Sequence, residues 1–98
     1  MKKSEMMDGF LHSEVFSQEM YDDMMRFICS FHIRSGEFVG NEYVMQRRHY
    51  ELFIIFPEYD LPDGRWDMGE SFAIGKKFLI NAMQERAKRI GLVPYEDK

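Results

Sequence analysis

His49-Tyr50-Glu51-Leu52-Phe53-Ile54-Ile55-Phe56-Pro57 is the stretch on which the fold turns. Leu52 to Phe56 are five apolar residues in a row. Their β-branched and aromatic make-up reads as a strand. Tyr50, Leu52, Ile54 and Phe56 alternate along one side, and Leu52 and Ile54 are assigned to the core. Phe53 and Ile55 fall on the other side, and they too are apolar. A strand that is apolar on both sides is covered on both sides or lies against another chain. Helices packed on one face alone would leave Phe53 and Ile55 bare. These two, with Tyr43 on the strand before, are therefore the expected protein interface, in a homodimer or against a different protein.

Upstream, Glu37-Phe38-Val39 and Glu42-Tyr43-Val44 flank Gly40-Asn41. That pattern predicts a tight hairpin, because glycine and asparagine tolerate positive φ. Residues 17–34 carry Met20, Met24, Phe27, Ile28 and Phe31 on one helical line, with Glu19, Asp22, Asp23 and Arg26 opposite. The spacing predicts an amphipathic helix, capped by the Ser17 hydroxyl and stopped at Gly36. Residues 1–12 show no period, and Asp8-Gly9 is a turn signal, so an irregular N-terminal segment is expected before a single domain over 13–98.

Downstream, Pro57 ends the strand, and Pro62-Asp63-Gly64 predicts a turn. Arg65-Trp66-Asp67 is placed to begin a third strand. Residues 71–90 put Phe72, Leu79, Met83 and Ile90 on one helical line, with Gly91 as the stop and Pro94 beyond it. Gly75 near the start marks a possible later beginning. The order is α-β-β-(β)-α: a small α+β domain with an antiparallel sheet of two to three strands and two helices on one face. Its core is expected around Phe27, Ile28, Leu52, Ile54, Leu79 and Met83.

The chain has 98 residues, enough for one domain, and one cysteine, Cys29, which rules out an internal disulfide framework. No apolar run follows Lys2-Lys3, so no secretory leader is expected. No stretch approaches the roughly 20 apolar residues that span a bilayer, so a cytoplasmic protein without membrane contact is expected. The nine methionines are read chiefly as gap-fillers in a small core.

The net charge is −4. It divides into −7 over residues 1–73, +4 over 74–91 and −1 over 92–98. The last helix is thus a basic element on an acidic body.

Cys29 and His32 lie three apart, but a zinc site needs a second half-motif that is missing. Asp63-Gly64 with Glu70 matches the second half of a calcium loop, yet Tyr59 and Leu61 would occupy ligand positions. Cys29 sits among Met25, Ile28 and Phe31, a poor setting for a reactive thiol. Paired carboxylates are present in the 58–70 segment, but a chain this short has little room for a substrate cleft. No phosphate-cradling glycine loop and no nucleophile elbow occur. A non-enzymatic binding or regulatory protein working through protein–protein contact is expected, without metal or cofactor.

The basic residues supply an alternative. Arg47, Arg48 and His49 sit between two strands, and Lys76, Lys77 and Lys88 lie on the last helix. Lysines and helix N-termini suit phosphates. His49, Phe53 four residues on, and the Lys76-Lys77 pair opening the final helix are similar in type and order to the double-stranded RNA-binding domain, over about residues 49–91. The resemblance implies an α-β-β-β-α fold and duplex-RNA contact through those residues. The sequence departs from that family's pattern in two places. Arg47-Arg48 stands where the family has glycine-proline, and Phe78-Leu79-Ile80 stands where it has alanine-lysine.

Overall fold

A computed structural model describes residues 3–30, 35–60, 66–68 and 71–96. Helices α1 (Lys3–Glu14) and α2 (Gln18–Cys29) come first. Strands β1 (Gly36–Val39), β2 (Tyr43–His49), β3 (Leu52–Asp60), β4 (Trp66–Met68) and β5 (Phe72–Gly75) follow, and α3 (Lys76–Arg89) closes the order.

Every strand pair is antiparallel. β3 is the axis of the sheet. β2 lies along one edge, with β1 outside it. Along the other edge β5 pairs with the first half of β3 and β4 with the last residues. Five strands thus make a sheet four strands wide, against the two to three expected. The α+β class and the antiparallel sheet stand as expected.

The N-terminal residues are helical where an irregular start was expected. Met6 and Phe10, four apart, dock into the core together with Val15 just past the helix end. Gly9 is a close-approach site within this helix: a Cβ there would meet the Tyr43 hydroxyl at 2.8 Å. α2 starts as predicted, with Ser17 Oγ accepting from the Met20 amide. It ends at Cys29, earlier than expected, with Ser30 as its extended cap. The remainder of the predicted span, 31–34, lies outside the described residues, and so does the Pro62-Asp63-Gly64 turn.

The β1–β2 hairpin forms, and it closes with the Gly40 amide donating to the Tyr43 carbonyl at 2.8 Å. It does so without positive φ at Gly40 or Asn41; among the described residues only Gly36 and Gly91 have it. Gly91 is the expected stop of α3: its φ of 80° lets Leu92 N–H donate back to the Ala87 carbonyl. The start of α3 is later than the apolar line suggests. Residues 72–75 are strand, with Phe72 and Ile74 buried and Ala73 exposed between them.

That strand decides which side of β3 is inside. β5 sets Ile74 beside Phe53 and Phe72 beside Ile55, while Ala73 and Gly75 fall beside Ile54 and Leu52. Paired residues share a face, so the bulky side chains collect on the Phe53–Ile55 side. The assignment of Leu52 and Ile54 to the core is therefore corrected. Phe53 and Ile55 are fully buried and join Met24, Ile28, Met45, Leu79 and Met83 in one cluster. Leu52 is 41% exposed and Ile54 half-buried. Phe27 packs against the cluster from the side, its ring 6.3 Å from that of Phe53. Five methionines (Met6, Met24, Met25, Met45 and Met83) are buried, in keeping with their role as filler.

Candidate binding surface

The expected interface at Phe53, Ile55 and Tyr43 is taken up by the chain itself. Phe53 and Ile55 belong to its own core. Tyr43 is half-buried, edge-on to Phe10 with ring centroids 5.6 Å apart. Of the expected nucleic-acid residues, Arg47 also turns inward. It shares a face with Met45 and Phe53, is 1% exposed, and holds its guanidinium 5.1 Å from the Phe53 ring centroid. Nη1 donates to the Phe27 carbonyl in the last turn of α2 at 2.7 Å, and Nη2 to the Tyr50 carbonyl at 3.0 Å. Nε is buried without a partner. Loss of water lowers the Arg47 pKa from its ordinary value, against the opposing pull of Cys29, Glu51 and Tyr50. Arg47 thus ties a helix end to a strand turn and is withdrawn from any incoming ligand.

Glu14 is the second buried charge, 0% exposed at the end of α1. Its carboxylate accepts from three successive backbone amides: Asn41 at 3.0 Å, Glu42 at 3.1 Å and Tyr43 at 2.7 Å. Among the described residues, both buried charges are therefore spent on backbone groups, as burial demands. Among the described residues no three His, Cys, Asp or Glu side chains gather as a metal site, and no helix is long and apolar enough to cross a membrane. His32, Asp63 and Glu70 lie outside the described residues.

The other face of the sheet is different. A bulge between Arg47 and His49 sets His49 beside Leu52, and Leu52 is beside Gly75. These three positions form a row across one end of the sheet. Phe78, on the first turn of α3, flanks it: a Cβ on Gly75 would lie 3.7 Å from the Phe78 ring. The next row is Glu37, Gln46, Ile54 and Ala73. At the far end of the same face Val44 and Phe56 are buried, outside the main cluster.

The half near α3 is open. Phe78 is 73% exposed, and Leu52, Tyr50 and Ala73 are exposed beside it. The Lys76 amide donates to the Glu51 carbonyl at 2.9 Å, which brings the start of α3 against the β2–β3 turn. Arg48, His49, Lys76 and Lys77 consequently gather at this end, and among the described residues none of them forms an ion pair. Lys88 does not join them. It lies in the last turn of α3, about 18 Å along the axis from Lys76 at 1.5 Å per residue.

Leu52, Ile54, Ala73 and Phe78 were not singled out by sequence as a surface. The available signal was the alternation Phe72-Ala73-Ile74-Gly75, together with Phe78 standing one position off the Leu79–Met83 line.

Comparison of the chain with family models, with characterised proteins and with solved structures finds no match.

Proposed function

We propose that the protein is a non-enzymatic binding module that acts by protein–protein contact through the open half of its sheet. One observation carries this reading. Three helices pack on the Phe53–Ile55 side, and the opposite side keeps Leu52, Ile54, Ala73 and Phe78 together near solvent. An aromatic ring 73% exposed beside an exposed leucine is what an interface centre offers. The cations Arg48, Lys76 and Lys77 at its margin favour a partner with an acidic rim. The test is capture of native-host proteins on the immobilised chain beside Phe78→Glu and Ala73→Arg, both with unchanged circular dichroism. A protein retained by the parent and lost by both variants supports the reading. Retention by all three sinks it.

A second reading rests on the gathering of Arg48, His49, Lys76 and Lys77 at the N-terminal end of α3, beside the exposed rings of Tyr50 and Phe78. Phosphates and bases are met by cations and aromatic faces respectively. His49 closes β2, with two residues between it and β3, and the lysine pair opens α3. Arg47, being buried, is not among the cations this reading uses. Titration of labelled duplex RNA and DNA at rising salt decides the matter. A complex weakened by salt and by Lys77→Glu favours this reading, and no complex at low salt ends it.

A further inference from the structure

We infer that the occupant of the open sheet half is a second copy of this chain, laid face to face about a two-fold axis that runs between the two sheets, parallel to them and perpendicular to the strands. The inference rests on the protein-contact reading of that face and names its partner.

The argument is self-complementarity. A two-fold interface uses one patch twice, so each feature must meet its complement within the same patch. The open half consists of two rows, His49–Leu52–Gly75 and Glu37–Gln46–Ile54–Ala73. An axis crossing β3 between Leu52 and Ile54 exchanges the rows. Leu52 then faces Ile54 of the second copy, and Gly75 faces Ala73. The exposed Phe78 ring, which stands beside Gly75, comes over the small Ala73 of the second copy, and Leu52 with Ile54 fills the space next to it. On the β1–β2 side, Arg48 and His49 come against Gln46 and Glu37 of the second copy.

Arg48 and Glu37 are both exposed, and neither has an ion-pair partner among the described residues. The arrangement gives each a charge of opposite sign. The alternative axis, parallel to the strands, would set Arg48 and Lys77 against the same basic end and repel. Two short rows make a footprint below the usual roughly 800 Å² per partner, so the association is weak and concentration-dependent.

Sedimentation velocity of the full chain over a concentration series tests this. Expected is a monomer–dimer equilibrium that shifts toward monomer with added salt. Arg48→Glu and Glu37→Arg should each weaken it at least tenfold, and the double exchange should restore it. Neither substitution touches the core, so folding is retained in both. A monomer at all concentrations overturns the inference, as does a dimer indifferent to both substitutions. If the chain is monomeric while Phe78→Glu still abolishes capture of another protein, the second copy is excluded and the binding-module reading survives. If capture is unaffected too, both fall.

Discussion

The Glu14 carboxylate occupies the space that a side chain on Gly40 would need: a Cβ at position 40 would lie 2.8 Å from Glu14 Cδ. The oxygens cannot swing aside, because three amides of the hairpin hold them. Gly40→Ala is expected to cost about 1–3 kcal/mol through overpacking. Urea unfolding measures it. A midpoint equal to that of the parent would show that the carboxylate has somewhere else to go.

Replacing the acid itself separates charge from shape. Glu14→Gln keeps the volume but turns one acceptor into a donor that faces an amide N–H. A loss of about 1–3 kcal/mol is expected, since a buried amide is left without a partner. Glu14→Ala strands all three amides and is expected to lose more. Equal midpoints for the glutamine variant and the parent would contradict the hydrogen-bond assignment.

Arg47 makes a comparison in which the more conservative change does more harm. Arg47→Met removes a buried cation along with its two hydrogen bonds to carbonyls. Arg47→Lys keeps the cation, but a single ammonium cannot span the Phe27 and Tyr50 carbonyls as the guanidinium fork does. The lysine variant is expected to be no more stable than the methionine variant, with each down about 1.5–3 kcal/mol. A lysine variant close to the parent would show that one carbonyl contact suffices.

On β3 the two sides of the strand should respond differently. Phe53→Ala is expected to cost about 3–5 kcal/mol, and Leu52→Ala, on the open face, less than about 1 kcal/mol. The reverse order would return Leu52 to the core.

The neighbour of β3 also explains what could be read in advance. The β1–β2 hairpin, the Ser17 cap, the Gly91 stop and the two-sided apolar strand are each set by residues close together in sequence. Which side of that strand faces inward depends on β5, twenty residues away. Phe72-Ala73-Ile74-Gly75 fits a helical line through Leu79 as well as it fits a strand, and only pairing with β3 selects the second. Once 72–75 were read as helix, the inside and outside of β3 were exchanged with them, and the interface was placed on Phe53 and Ile55. Arg47 was missed for a related reason: an arginine between strands looks exposed until the Phe27 carbonyl of α2, twenty residues back, is found converging on it with that of Tyr50. α1 carries only a short apolar stripe, Met6-Met7 and Phe10-Leu11 one turn on, and this stripe and a buried carboxylate hold it in place.

The C-terminal tail is held by groups that are easily removed. Gln18 pairs with Val93 through both ends of its amide, at 3.0 Å and 2.8 Å, and the Tyr95 amide donates to the Tyr21 hydroxyl at 3.2 Å. Gln18→Ala is expected to speed hydrogen exchange at the Val93 amide while leaving the midpoint within about 0.5 kcal/mol. Unchanged exchange would mean that the tail is anchored elsewhere.

Hairpin tips are ordinarily where a chain accepts foreign residues most readily. The tip at 40–43 is closed to them. The carboxylate of Glu14 takes one amide from each of Asn41, Glu42 and Tyr43, so the loop is measured to a single length by a residue on another element. One added residue would put a carbonyl where an amide is required. Tags, epitopes and reporter inserts placed at this turn will disturb the fold.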